Sequence, residues 1–380
     1  MRTISILLVI FLAACSKKTV SLTENEPNKE KKIEVCNFGL NSFNKLKRPV
    51  SENPFVEMKS PNKNLSQTIA DATILLDFGG ENVSNTLWNS NGNIVCAPAN
   101  LEASEIEKII SRVSEDFSPF NVAITTDETL YNNTNPQKRV RIIITESWEW
   151  FGVAGGIAYP GSFTWGNNTP AFVFSTLLFY NEKFIAEAIS HEAGHTLGLD
   201  HQRVFSTTCS LLLEYHTGMG AGVTGWAPIM GNGYYHNVTT WHNGPTTSCG
   251  NMQDDVSIIS AILSLKPDEL EKMNKAPDLI EISEGIINNR TDEDFFSVHL
   301  KKPGSIEATP HCLGEGLGAN VHLKMNIYGP NGQLISSDFN PAQLSVSKQL
   351  PAGKYYVGIQ NVGGSDFNYG MLGRYSLKLL

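Results

Sequence analysis

A chain of 380 residues, 41% of them hydrophobic, is long enough for two folded units, each burying its own core. Its 29 Lys and Arg stand against 38 Asp and Glu, a formal net charge of -9, and no basic cluster stands out. That balance excludes nucleic acid as the main partner, because a phosphate backbone is met by clustered cations.

The chain opens with Arg2, an apolar run from Ile4 to Leu12, and then Leu12-Ala13-Ala14-Cys15. The run is too short to span a bilayer as a mature helix and reads as an export signal over residues 1–15. L-A-A-C resembles the lipobox of bacterial lipoproteins, which implies a lipid anchor on Cys15 and a workplace at the cell envelope. The other reading is an ordinary secretory signal with an incidental cysteine, and on both the protein leaves the cytoplasm. Residues 16–65 are rich in Lys, Asn, Glu, Ser and Pro and cannot bury enough apolar surface to order firmly, so they are expected to form a tether or pro-segment.

Five cysteines follow: Cys36, Cys96, Cys209, Cys249 and Cys312. An odd count outside the cytoplasm leaves at least one thiol unpaired or paired between chains. Cys209 and Cys249 flank a loop-rich segment and are the expected disulfide.

Ala72 to Phe78 is a short apolar run closed by Gly79-Gly80 and reads as a buried strand. Glu102 to Phe117 places Ile106, Ile109, Ile110, Val113 and Phe117 at helical spacing, which predicts an amphipathic helix covering a sheet. Phe120 to Thr126, Val140 to Thr145, Gly155 to Phe163 and Ala171 to Leu178 are β-branched and apolar and read as strands. A helix follows from about Asn181 to Leu197, and another is expected over Asp254 to Leu265. The order fits helices layered on a mixed, mostly parallel sheet.

The second helix ends in S-H-E-A-G-H-T-L-G-L-D-H-Q, Ser190 to Gln202. Residues four apart share a helix face, so His191 and His195 can present two imidazoles to one metal, with Glu192 turned toward a water on it. Gly198 tolerates the left-handed conformation that ends helices, and the turned chain can bring His201 back as a third ligand. Three histidines leave a fourth position open. Met230 follows in the loop Ala227-Pro228-Ile229-Met230-Gly231.

From Asp71 to Leu265 these residues resemble the metzincin clan of zinc endopeptidases. The resemblance implies an α+β catalytic domain over residues 66–265, with one catalytic Zn2+ bound by His191, His195 and His201. It implies Glu192 as general base, Met230 as an apolar floor beneath the metal, and protein or peptide substrates. In the clan an edge strand before the active-site helix pairs with the extended substrate, which maps to Gly155, Gly156, Ile157 and Ala158; a glycine bulge without a substrate role is the other reading. Two departures stand out. Gln202 occupies the position after the third histidine, where subfamilies carry a typical residue. Asn232 occupies the position of a tyrosine that helps at zinc in some subfamilies, with Tyr234 and Tyr235 as the nearest substitutes. In some zinc proteases a pro-segment thiolate caps the metal, and Cys36 lies upstream as that requires, although V-C-N-F-G does not match the switch motif.

Residues 266–277 are charged and edged by prolines and read as a linker. Val321, Leu323, Met325 and Ile327 then alternate with polar neighbours, Gly329-Pro330-Asn331-Gly332 marks a turn, and strands are expected at Gln333 to Ser336, Tyr355 to Ile359 and Tyr375 to Leu380. An all-β sandwich over 278–380 follows. Its D-E-D-F-F-S-V, P-A-G-K-Y-Y-V and G-R-Y-S-L segments resemble the pre-peptidase C-terminal domain of secreted bacterial proteases. Asp292, Glu293 and Asp294 could hold Ca2+, but a solvated turn is the better reading of them. The function implied for the whole chain is an extracytoplasmic zinc endopeptidase. The alternative is a surface adhesion or glycan-binding lipoprotein with a structural zinc, which would not need Glu192.

Overall fold

The computed structural model describes residues 70–268, 270–311, 318–362 and 371–380, together with the backbone of Glu34–Val35. The expected export signal with Cys15, the rest of the tether, Cys36 and Cys312 lie outside the described residues. No helix among the described residues is long and apolar enough to cross a membrane.

The amino-terminal unit is α+β and is built on one six-stranded sheet. Its strands are β1 (Glu34–Val35), β2 (Ala72–Asp77), β3 (Val122–Thr125), β4 (Arg139–Thr145), β5 (Gly156–Ala158) and β6 (Ala171–Phe174), in the spatial order β1-β5-β6-β4-β2-β3. β2, β3, β4 and β6 run parallel, while β5 lies antiparallel to β6 and β1 antiparallel to β5. Central parallel strands are covered on both faces, which is why Val140 to Thr145 and Ala171 to Phe174 read as unbroken apolar runs. Side chains alternate between the faces. Ile142, Ile144, Ala171 and Val173 point into a core shared with the helices. Ile143, Phe172 and Phe174 point the other way, into an aromatic layer with Trp88, Trp150 and Tyr159.

Helix α1 (Ala103–Asp116) starts at a capping box in which Glu102 and Glu105 satisfy each other's backbone N–H groups, and it buries Ile106, Ile109 and Val113. A short α2 (Glu128–Asn133), capped by Asp127, has no apolar period and was invisible to pattern reading. Helix α3 (Glu182–Thr196) is capped by Asn181, whose Oδ1 accepts the Phe184 N–H at 3.0 Å. Every residue of α3 from Ile185 to Thr196 is buried, so this helix forms the middle of the unit, between sheet, α1 and the loops that follow. Helix α4 (Asp255–Leu263) closes it. The strand expected from Gly155 to Phe163 stops at Ala158. Pro160 has no N–H for a ladder, and Gly161, at φ +75°, turns the chain so that its N–H reaches His195 O at 2.9 Å.

The carboxy-terminal unit holds two four-stranded antiparallel sheets face to face. Its strands are β7 (Ile282–Ile287), β8 (Asp294–Leu300), β9 (Gly304–Pro310), β10 (Leu323–Tyr328), β11 (Leu334–Phe339), β12 (Val346–Leu350), β13 (Gly353–Asn361) and β14 (Gly373–Leu379). One sheet has the order β7-β14-β9-β12, the other β8-β13-β10-β11. Phe296, Val298, Met325, Ile327, Val357 and Leu377 fill the space between them. The segment 266–277 is pinned along its way, with Lys266 N bonded to Pro119 O, Phe295 N to Leu270 O and Ser297 N to Pro277 O.

The end of α1 joins the two units. Glu115, 1% exposed, accepts the Arg374 N–H and Nε–H, both at 2.7 Å. Asp116 accepts the Asn320 amide at 2.7 Å and, on the opposite side, the Ser190 hydroxyl of α3. Trp226, Val238, Ala319, Leu344 and Met371 form an apolar cluster across the same junction. Burial pushes the Glu115 carboxyl up, and Arg374 pulls it back. Arg374→Ala therefore costs about 3 kcal/mol, because it strands a buried carboxylate. The mutant's loss grows with pH: a folded-state pKa raised further above the unfolded value removes stability as pH rises. Urea unfolding at pH 5 and pH 8 checks this; equal losses at both would show that Glu115 does not need its partner.

Candidate metal centre

His191, His195 and His201 converge as the spacing predicts, and all three are buried. α3 carries the first two one turn apart. The helix ends where Gly198, at φ +97°, lets Gly198 N reach His195 O (2.8 Å) and Leu199 N reach Gly194 O (3.0 Å), and the reversed chain brings His201 back.

Each imidazole is fixed by its Nδ1. His191 Nδ1 lies 2.8 Å from Ile229 O, His195 Nδ1 2.7 Å from Leu199 O, and His201 Nδ1 3.2 Å from Glu214 Oε1. Nδ1–H donation to these oxygens selects the tautomer whose Nε2 lone pair faces inward. His195 Nε2 and His201 Nε2 stand 3.1 Å apart. Two ligands at 2.0–2.1 Å on a tetrahedral zinc would be roughly 3.3 Å apart. His191 Nε2 is sealed from solvent and has no hydrogen-bond partner among the described residues. Burial lowers the His191 pKa to about 4, which keeps the ring neutral and able to ligate. Three inward-facing nitrogens, one of them otherwise orphaned, fit a metal ion.

Glu192, also buried, lies against the sheet edge. A methyl group placed on Gly156 would come within 2.6 Å of Glu192 Cγ and Oε1, so the glycine in β5 makes room for this carboxylate. The side chain that approaches this glycine is Glu192. Gly155 O accepts the Phe174 N–H at 2.9 Å, and the Ile157 and Ala158 side chains are fully buried in the cores on either side of the sheet. The outer edge of β5 is paired by Glu34–Val35, with Glu34 opposite Ala158 and Val35 opposite Ile157.

Met230 is fully buried beneath the helix, and a methyl on Gly194 would overlap its Sδ. The turn at Met230 is closed by Gly231 N to Pro228 O at 2.9 Å. Gln202 is the hub behind the histidines. Its N–H reaches Met230 O (2.8 Å), its carbonyl takes the His216 N–H (2.7 Å), and its side-chain amide reaches Asp255 Oδ1 (3.0 Å). Tyr234 and Tyr235 pack on Phe184 in the first turn of α3. Beside the histidines lies Tyr215, buried, its ring centroid 4.6 Å from that of His201 and 6.2 Å from that of His191. Nothing in the sequence marks Glu214 or Tyr215. They arrive on a hairpin held by the Cys209–Cys249 disulfide, the pairing expected from sequence. Cys96 is the one free cysteine among the described residues; burial pushes its thiol up to about 12.

No family model and no curated protein matches the chain. Among solved structures, similarity is found to the pre-peptidase C-terminal domain of a collagenase from Bacillus anthracis (12% identity, TM-score 0.20, 28% of this chain and 93% of that one). It is found also to Aeromonas hydrophila PliG, a periplasmic inhibitor of g-type lysozyme (13%, 0.20, 28% and 95%). The Yersinia pseudotuberculosis-derived mitogen is a third (15%, 0.18, 26% and 81%). At these scores none of the three bears on what this chain does.

Glu214 is itself held by Arg203, at 2.6 Å. Removing the carboxylate frees the His201 ring to turn, so Glu214→Ala should lower zinc affinity about 10- to 100-fold. Competition with a chromogenic chelator measures it, and an unchanged affinity would deny Glu214 this role.

Proposed function

We propose that the chain is an extracytoplasmic zinc endopeptidase of metzincin type. The observation that carries this reading is the convergence of three Nδ1-anchored histidines, with the Glu192 carboxylate packed on the glycine of the adjacent sheet edge. A structural site has no use for that carboxylate and commonly closes its fourth position with another protein ligand. The disulfide fits an oxidising compartment, as does the export signal read from the sequence.

A zinc ion held by His191, His195 and His201 would lower the pKa of a bound water to about 7 and polarise the substrate carbonyl. Glu192 Oε1, beside the ligand His191, accepts the proton of the attacking water and passes it to the leaving amine nitrogen, acting first as base and then as acid. Burial keeps the His191 ring neutral. Gly156 lets a peptide paired along β5 lie close to Glu192, main chain against main chain. Glu34–Val35 holds that same edge, so a substrate must displace it.

Glu192→Ala should retain stoichiometric zinc while peptide hydrolysis falls about 10²- to 10⁴-fold. Undiminished cleavage by the zinc-loaded variant sinks the mechanism. A chain trimmed to residue 66 should show a KM about tenfold lower than the full chain, since roughly 1.5 kcal/mol of main-chain pairing no longer competes. Steady-state kinetics on one peptide decides it; identical KM values would mean that the strand at Glu34–Val35 does not occupy the substrate's place.

A further inference from the structure

We propose that Gln253 and Asp255 are positioning residues of the histidine centre, gripping the chain on both sides of His201 so that its ring is presented to the metal. Their role rests on the zinc reading above, and no histidine motif marks them.

His191 and His195 ride on α3, whose backbone fixes them. His201 lies beyond the helix end, in a stretch that belongs to no helix or strand. A side chain on such a stretch is placed only as well as its neighbours are held. Those neighbours are held by one hairpin, in which Asn243–Pro245 pairs antiparallel with Met252–Asp254 immediately before α4. On one side of His201, the Asp200 N–H donates to Gln253 Oε1 and Gln253 Nε2–H donates to Asp200 O, both at 2.9 Å. On the other side, the Gln202 amide donates to Gln253 O at 3.2 Å and to Asp255 Oδ1 at 3.0 Å. Arg203 is bound to the same hairpin, its N–H to Pro245 O at 2.8 Å and its Nη1–H to Thr246 O at 2.7 Å. Arg203 in turn holds the Glu214 carboxylate that meets His201 Nδ1.

Asp255 sets the direction of both amides. Its Oδ1 accepts Gln202 Nε2–H and, at 2.9 Å, Gln253 Nε2–H, while its Oδ2 accepts the His242 N–H at 2.9 Å. Gln253 Nε2 therefore directs its two hydrogens to Asp200 O and Asp255 Oδ1, which leaves Oε1 for the Asp200 N–H. Only a side-chain amide can donate and accept along one backbone residue in this way. Gln202, Gln253 and Asp255 are all buried, so removing one partner strands N–H groups out of reach of water and the segment must shift to satisfy them. The segment that shifts is the one that carries His201, so the loss should be read at the metal and not only in overall stability.

The test measures, on the full chain, zinc affinity by chelator competition, the visible spectrum of the Co2+ form, and the melting temperature without metal. Gln253→Met, which keeps the side-chain length and removes the amide, should weaken zinc binding about 10- to 100-fold. It should also change the Co2+ spectrum, which reports the number and geometry of the ligands. In a His201→Ala background the same substitution should leave zinc affinity unchanged, because no third imidazole is left to place. Should Gln253→Met not fold, Asp255→Asn carries the same expectation at about tenfold, since it keeps the side-chain shape and turns one acceptor of N–H groups into a donor. A lower melting temperature with zinc affinity and Co2+ spectrum unchanged would make the pair purely structural and overturn the positioning role. An equal loss of affinity with and without His201 would overturn it as well. If His201→Ala itself leaves zinc affinity untouched, the zinc reading fails and the positioning role with it; if His201→Ala alone weakens zinc binding, only the positioning role falls.

Discussion

Two consecutive carbonyl oxygens, of Ile229 and Met230, reach back across the unit to the segment that carries the histidines, and the centre depends on them. Ile229 O fixes the His191 ring and Met230 O holds the Gln202 backbone, so one turn anchors both the first histidine and the residue after the third. The turn is in turn pressed against the helix at Gly194, where only a hydrogen in place of a side chain leaves room for the methionine sulfur. A glycine in mid-helix costs about 1 kcal/mol against alanine. Close packing under the two helix histidines is what that cost obtains.

The strongest periodic signals proved reliable because they rest on local physics. α1 and α3 follow from apolar spacing and capping residues, the parallel core strands from uninterrupted β-branched runs, and the histidine triad from a helix face ended by Gly198. What pattern could not reach depends on contacts between distant segments. Strands β9 and β12 carry too few inward apolar residues to show a period: Ile306 and Ala308 in one, Val346 and Leu350 in the other. Glu214 and Tyr215 follow an exposed leucine run with no motif of their own and meet His201 only through the folded hairpin. Gln202, which fitted no subfamily pattern, has its role in bonds to Met230 and Asp255, residues 28 and 53 positions away in the numbering.

The carboxyl group of Asp116 sits between Ser190, immediately before His191, and Asn320 of the β-sandwich. The two units are thus not beads on a linker. The last turn of α1 is a shared wall, polar at Asp116 and Glu115 and apolar where Trp226 and Val238 meet Ala319, Leu344 and Met371. Buried polar contacts of this kind reward one relative placement and penalise others, because a shift leaves carboxylates without donors.

The pairing of Glu34–Val35 with β5 also bears on how the molecule behaves in company. β5 would otherwise end the six-stranded sheet with open N–H and C=O groups, and such an edge is a template for any extended chain that passes, including another copy. By carrying its own strand for that position, the protein meets its neighbours with the edge already closed. Loss of that strand would expose a sticky margin, so solubility as well as chemistry is tied to two residues far from the domain they protect.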